Sequence, residues 1–314
     1  MKIASTLNHR AHRICDFLSQ LEDELRIKNY ILECGSTVYD YGVKAEGGLR
    51  AGAHLAEICL AGLAEVKIVP GSYGQSVSVY TDHPIAACLA SQYAGWQVKS
   101  DEFFAMGSGP MRAASGKEPI IREIGFTEKP DVVVGVLEAS QLPNDDACES
   151  IAVDCGVSPN SLRLCVARTA STAGTVQVVA RSLETALHKV HELGFDLNKV
   201  VSGFGNAPLP PVAADDLVGI GRTNDAVLYG GEVTIWVRAE DDELADLVGK
   251  IPSQSSNDFG VPFKEIFDRY DGDFYKIDPL LFSPAKVCVI SLNTGRSFRA
   301  GEIRDDILQQ SFFN

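Results

Sequence analysis

Val132-Val133-Val134-Gly135-Val136-Leu137 is followed by an amphipathic stretch, Asp145–Cys155, then by the apolar run Leu162–Ala167, and then by a long helical pattern over residues 175–193. The opening run is apolar or glycine at every position, which marks a strand buried on both faces rather than one with a wet side. Strand and helix patterns that alternate in this way predict a layered α/β domain.

Working towards the N-terminus, Ile3, Leu7, Ala11, Ile14, Leu18, Leu21 and Leu25 recur at steps of three and four, so an amphipathic helix is expected over residues 3–28. A second helix is expected over residues 51–63, with short strands at 38–41, 66–69 and 76–80, each bounded by Gly, Pro or Asp. Towards the C-terminus, residues 203–211 hold three prolines, at 208, 210 and 211, and are expected to interrupt the pattern as an inter-domain crossing. Residues 227–229 and 233–237 are expected to pair as a hairpin around Gly230-Gly231. A helix follows at Asp241–Val248, then a last strand at 286–292 and a turn at Asn293-Thr294-Gly295. No internal repeat or low-complexity segment is present. The expected organisation is α/β with mixed α+β layers in two domains: a central one, 86–208, inserted between 1–85 and 209–314.

A chain of 314 residues with 45% apolar content builds a sizeable core and exceeds the usual span of one compact interior. Its 28 Lys and Arg against 42 Asp and Glu leave a net charge of -14, which disfavours nucleic acid and anionic membranes as partners. Residues 1–20 alternate apolar and charged side chains and lack the apolar stretch of a signal peptide, and nothing elsewhere approaches a membrane-spanning run. Cysteines at 15, 34, 59, 88, 148, 155, 165 and 288 include no C-x-x-C pair, so neither a zinc knuckle nor a redox dithiol is indicated. They read as reduced core residues of a cytoplasmic protein.

Several motifs fail on inspection. Gly107-Ser108-Gly109, Gly203-Phe204-Gly205 and Gly219-Ile220-Gly221 lack the small residue that a dinucleotide fingerprint needs three places on; Arg112, Pro208 and Asn224 stand there. Gly116-Lys117 is followed by Glu118, which excludes the NTPase phosphate loop, and no G-x-S-x-G elbow exists. Glu184, His188 and His191 form the one metal-ligand candidate, but the histidines are three apart without the H-E-x-x-H arrangement, so helix-surface histidines are the plainer interpretation.

On the helix expected over 175–193, Val176, Val179, Leu183, Leu187 and Val190 form the core-facing stripe. Arg181 and Glu184, three residues apart, project from a different face beside Gln177 and His188. By spacing alone they make a surface ion pair worth a few tenths of a kcal/mol. The preceding loop, Arg168-Thr169-Ala170-Ser171-Thr172-Ala173-Gly174, is polar and small, and its helix N-terminus can present backbone N–H groups to a ligand. A carboxylate beside an arginine at a cleft would serve as base and orienter.

Five further segments carry a resemblance: Thr81-Asp82-His83-Pro84, Ala87-Cys88-Leu89-Ala90-Ser91-Gln92-Tyr93-Ala94-Gly95-Trp96, Phe103-Phe104-Ala105-Met106-Gly107-Ser108-Gly109-Pro110, Gly221-Arg222-Thr223-Asn224-Asp225-Ala226 and Asp273-Phe274-Tyr275-Lys276-Ile277-Asp278. In these, in their order, and from the opening helix to the C-terminal strand, the chain resembles the methenyltetrahydromethanopterin cyclohydrolase family. The resemblance implies two α/β domains flanking a large pocket, a homotrimer, and a reaction needing neither metal nor organic cofactor. It also implies a catalytic arginine and glutamate three apart on the helix after an Ala-Ser-x-x-Gly loop, which Val179-Ala180-Arg181-Ser182-Leu183-Glu184 matches.

The implied substrate, methenyl-tetrahydromethanopterin, carries an electrophilic amidinium-like carbon. Glu184 would position the attacking water and accept its proton, while Arg181 would either orient that carboxylate or bind a polar group of the pterin. Ser91, Gln92, Tyr93 and Trp96 offer hydrogen bonds and aromatic faces to a flat heterocycle, the alternative being a polar turn with a core tryptophan. Gly107, Ser108 and Gly109 either present backbone N–H groups or make a tight turn. Arg222, Asn224 and Asp225, placed just before the expected strand at 227–229, line the pocket or form an Asx-turn. Lys276 touches substrate or is a solvated lysine. Some relatives carry lysine where Tyr93 stands, which leaves the dephospho carrier as an alternative partner. Rival readings are a non-catalytic pterin-binding protein and a metal-dependent hydrolase using Glu184, His188 and His191.

Overall fold

The computed structural model describes residues 5–100, 103–273 and 276–313. Among the described residues no helix is long and apolar enough to cross a membrane. The chain forms two compact units: Met1–Ala64 with Ala86–Gln177, and Glu65–Ile85 with Val178–Asn314. It lays down β1 (Lys28–Ile31) and β2 (Thr37–Gly42) in the first and β3 (Glu65–Gly71) and β4 (Gly74–Thr81) in the second. It then returns to the first for β5 (Trp96–Ser100), β6 (Phe103–Ser108), β7 (Val133–Glu138) and β8 (Leu162–Ala167), and completes the second with β9 (Val200–Pro208), β10 (Glu232–Val237), β11 (Lys286–Ser291) and β12 (Ser297–Gly301).

The sheet of the first unit has the order β1-β2-β8-β7-β6-β5, with β2, β8 and β7 parallel and the outer pairs antiparallel. Successive side chains of a strand point to opposite faces, and both faces here are covered. Val134 and Val136 join Tyr39, Tyr41 and Cys165 beneath the helices Leu7–Cys15 and Leu49–Cys59. Val133 and Leu137 join Leu162, Leu164 and Val166 beneath the helix Asp145–Cys155. Each such side chain, fully removed from water, contributes roughly 1.5–3 kcal/mol. The double burial is what the unbroken apolar run predicts.

The expected opening helix is divided into Leu7–Cys15, a turn of 3-10 helix at Leu18–Gln20, and Glu22–Leu25; Ile3 lies outside the described residues. The breaks let Ile27, which one straight helix would set on the face opposite Ala11, join Ala11, Cys15, Leu18 and Leu25 in one core. All eight cysteines are free, and six are buried.

The second sheet has the order β12-β11-β10-β9-β4-β3, parallel only between β10 and β11. Two expectations are corrected here. The glycine- and proline-containing stretch at 203–211 is no crossing, because Val200–Pro208 is β9, paired to β4 on one side and β10 on the other. Its prolines fall at the strand's last residue and beyond, where a missing N–H costs least. Nor is there a hairpin at 227–237: residues 227–229 are the last turn of a 15-residue helix, Asp216–Gly230, capped by the Asp215 side chain accepting from the Val218 N–H at 2.9 Å. Beyond the expected last strand, β12 and a helix, Asp305–Phe313, complete the unit.

The division between the units therefore differs from 86–208 against the rest. Pairing of β2 with β8 ties the N-terminal segment to the first sheet, and pairing of β9 with β4 and β10 ties residues 178–208 to the second.

Candidate active site

The helical pattern at 175–193 resolves into two helices, Thr172–Val179 and Ser182–Glu192. Between them the Arg181 N–H reaches back to the Val178 carbonyl at 3.1 Å, while the Arg181 carbonyl accepts from the Thr185 N–H at 2.9 Å and opens the next helix. Arg181 is thus the N-cap residue and Glu184 lies in the first turn, where the partial positive charge of the helix start favours a carboxylate. Arg181 is 7% exposed and Glu184 4%, which excludes the surface ion pair. The apolar stripe holds: Val176, Val179, Leu183, Leu187 and Val190 are all fully buried.

This helix start is seated on β9 by two glycines. A Cβ at Gly205 would lie 2.5 Å from Ser182 Oγ and 2.8 Å from the Leu183 nitrogen, and one at Gly203 would lie 2.6 Å from Leu183 Cδ1. A side chain at Gly205 would meet the backbone of the helix, and one at Gly203 would have to displace the Leu183 side chain. Gly203-Phe204-Gly205, useless as a nucleotide loop, is the platform on which the charged pair is set.

Lys189, on the same helix, is 1% exposed; its ammonium donates to Ser255 Oγ at 2.9 Å and to the Leu280 carbonyl, and burial pushes its pKa down to about 8. Sequence reasoning missed it, because H-K-V-H looks like a wet helix end. His188 Nε2 lies 3.7 Å from Glu192 Oε1. Among the described residues no group of three or more His, Cys, Asp or Glu side chains is placed to hold a metal ion.

The loop before Thr172–Val179 takes up two backbone donors of the first helical turn. Ser171 Oγ accepts from the Gly174 N–H at 3.0 Å, the Ser171 carbonyl accepts from the Thr175 N–H at 2.9 Å, and the Thr169 hydroxyl donates to Glu138. The Gly174 and Thr175 amides thus brace the start of the helix.

Within the first unit the structure brings Ser91, Gln92, Gly107, Ser108 and Gly109 together. The Gly109 N–H donates to the Ser91 carbonyl at 2.8 Å, Ser91 Oγ donates to the Cys59 carbonyl at 2.7 Å, and Ser108 Oγ lies 3.3 Å from Cys59 Sγ. Gly107 and Ser108 end β6, with Trp96 of β5 opposite Gly107, and Gly109 turns the chain at φ +86°. Ser91 and Gln92 close an eight-residue π-helix, Ile85–Gln92; Tyr93 and Trp96 are half-buried. Gln177 is 3% exposed.

Within the second unit, Arg222, Asn224 and Asp225 sit inside the helix Asp216–Gly230, not before a strand and not in an Asx-turn. Arg222 donates to the carbonyls of Ser311 and Pro211, both at 3.2 Å, and Asn224 to the Ile220 carbonyl at 2.9 Å. Asp225 accepts from the Phe263 N–H at 2.7 Å, at the start of the helix Phe263–Arg269, and burial pushes its carboxyl up to about 7. Lys276 is exposed, 4.0 Å from the Asp273 carboxylate; Phe274 and Tyr275 of that motif lie outside the described residues.

A family model described as cyclohydrolase (MCH) matches residues 6–312. The methenyltetrahydromethanopterin cyclohydrolase of Rhodopirellula baltica is 51% identical over 287 residues, 88% of this chain and 86% of that protein. The enzyme of the same name from Methylobacillus flagellatus is 47% identical over 292 residues, covering 92% and 89%. That from Methanococcoides burtonii is 41% identical over 313 residues, covering 98% of each.

Proposed function

Since the chain belongs to the methenyltetrahydromethanopterin cyclohydrolase family and is a hydrolase of that class, we propose that it converts 5,10-methenyl-tetrahydromethanopterin reversibly to the 5-formyl form, with Glu184 and Arg181 as the catalytic pair. The observation that carries this reading is the burial of both charged side chains at one helix start, packed over the two glycines of β9. Neither burial nor the platform is needed by a surface ion pair.

Water adds to the methenyl carbon, which lies between two nitrogens and carries their shared positive charge. Glu184 accepts the proton lost as the carbon–oxygen bond forms. The tetrahedral adduct then opens: the bond from carbon to N10 breaks, N10 retains its electron pair in place of the amidinium charge, and a second proton leaves the hydroxyl as the formyl C=O forms on N5. One proton returns to N10 and one is released, so the cation and water become the neutral formyl compound and a proton. As an anion in a site of low dielectric, Glu184 also stabilises the cationic substrate. In this reading the guanidinium fork of Arg181 orients the carboxylate.

Tyr93, Trp96 and Gln177 are the proposed pterin contacts, with the wholly buried Ser91 and Gln92 shaping the turn that presents Tyr93 and Trp96. Tyr93, neutral where some relatives carry lysine, fits the dephospho carrier. The proposal includes a homotrimer in the cytoplasm, taking part in one-carbon metabolism without metal or organic cofactor. The test is ultraviolet-monitored hydrolysis of methenyl-tetrahydromethanopterin, beside methenyl-tetrahydrofolate, with chelator-treated protein. Loss of the methanopterin chromophore unaffected by chelator is expected, and inertness towards both carriers would overturn the proposal.

A further inference from the structure

Arg112 is 0% exposed, the largest wholly buried side chain among the described residues, and every arm of its guanidinium is engaged. Nε and Nη2 form a two-pronged pair with Glu118 at 2.7 and 2.8 Å, while Nη1 donates to the carbonyls of Leu89 at 2.8 Å and Ser91 at 3.3 Å. Its guanidinium carbon lies over the Tyr93 ring, 4.9 Å from the ring centre. An ion pair buried this deeply is a weak source of stability, because desolvation consumes most of the attraction. Its position gives it another use.

The carbonyls it takes belong to the π-helix Ile85–Gln92, whose five-residue spacing is set by the Tyr93 N–H donating to the Cys88 carbonyl at 2.8 Å. The last carbonyls of any helix lack partners of their own, and a wide, rarely used helix needs them supplied from outside. Arg112 supplies two. On the far side of the same turn, a Cβ at Gly95 would lie 2.0 Å from Glu118 Oε1 and 2.5 Å from Tyr93 Cε1, so the chain between Tyr93 and Trp96 is pressed against the ion pair. Lys117 lies 5.8 Å from the centre of the Trp96 ring, with its own charge paired to Asp154 at 2.5 Å.

We infer that Arg112, held by Glu118, is a positioning residue that fixes the Ser91–Trp96 segment, and the Tyr93 ring above all, in the conformation that receives the pterin. The inference rests on the proposed function for its substrate, but its geometry does not. Wholly buried, Arg112 touches no ligand; its charge is spent inside, so the substrate meets a neutral aromatic face backed by a cation. Lysine would keep the charge and lose the fork.

The experiment uses Trp236→Phe protein, in which Trp96 is the remaining tryptophan of the two. In that background Arg112→Lys is expected to raise KM for methenyl-tetrahydromethanopterin about tenfold with kcat within about twofold, an effect of about 1.4 kcal/mol on binding, and to shift Trp96 emission. Glu118→Gln, which keeps the shape and removes one charge, is expected to do the same by a factor of about three, and replaces Arg112→Lys should that variant fail to fold. A folded variant with unchanged KM and unchanged Trp96 emission overturns the inference, as does loss confined to kcat. Wild-type protein inert towards the carrier would overturn the proposed function alone, leaving the Trp96 signal to decide the role of Arg112.

Discussion

β7 and β9 are both interior strands of six-stranded sheets, and they are made of opposite materials. In β7, valine and leucine fill both faces and its one glycine, Gly135, meets a side chain: an added Cβ would lie 2.2 Å from Met111 Sδ. In β9, Gly203 and Gly205 leave the middle of one face without side chains, and there the start of the helix that carries Arg181 and Glu184 is seated. The first strand makes a core by area. The second gives up area for close approach, of backbone to backbone at Gly205 and of backbone to the Leu183 side chain at Gly203, which is how a fold presents a helix terminus at a fixed place.

The comparison breaks most easily at the charged pair. Glu184→Gln is expected to lower kcat by about 10² to 10⁴ with the fold intact by circular dichroism, the range for losing a general base; near-normal turnover would remove Glu184 from the chemistry. Gly205→Ala comes next. Its methyl group must displace the helix start, and a shift of even part of an ångström is expected to lower kcat ten- to a hundredfold. A variant with wild-type kcat would show that β9 is a platform only for stability.

Gly135→Ala is the matched control in β7. Because Met111 is long and flexible, the expected outcome is a loss of about 1–3 kcal/mol in denaturant unfolding with kcat unchanged. A larger effect on turnover than Gly205→Ala produces would reverse the distinction between the two strands.

The smallest expected effect concerns Lys189. Burial lowers its pKa from the ordinary 10.5 to about 8, so between those values the unfolded chain holds a proton that the folded chain lacks. Raising the pH across that window therefore stabilises the native protein, and the cost of the buried charge is largest below pH 8. Against Lys189→Met, which does not titrate there, the wild-type Tm is expected to gain a few degrees between pH 8 and 10. Parallel Tm curves would show that Lys189 is solvated in the folded state.

Legibility along the chain followed the same physics. Asp145–Cys155, Leu162–Ala167 and Asp241–Val248 were readable to the residue, since each pairs a strong periodicity with a polar boundary. β9 was not readable, because glycine and proline are the ordinary marks of a loop and nothing local shows a helix resting above them. The helix Asp216–Gly230 was hidden for the converse reason. Its polar G-R-T-N-D stretch carries side chains that bond the Pro211, Ser311, Ile220 and Phe263 backbones, so no single wet face betrays its period. Arg112 gave no signal at all, since its partner Glu118 and the carbonyls it caps are joined only by folding.

From residues alone came the α/β class, the buried strand, expected at 132–137, the apolar stripe of the 175–193 pattern, and, through resemblance, the family and the candidate pair Arg181 and Glu184. These are properties of short windows, where periodicity, side-chain volume and motif spacing are written directly in the chain. The break that makes Arg181 an N-cap, the glycine seat beneath it, the π-helix locked by a buried arginine, and the sorting of residues 178–208 into the second unit are different in kind. Each depends on which distant segment arrives alongside, and that is settled by pairing and packing free energies summed over the whole domain rather than by any stretch of sequence on its own.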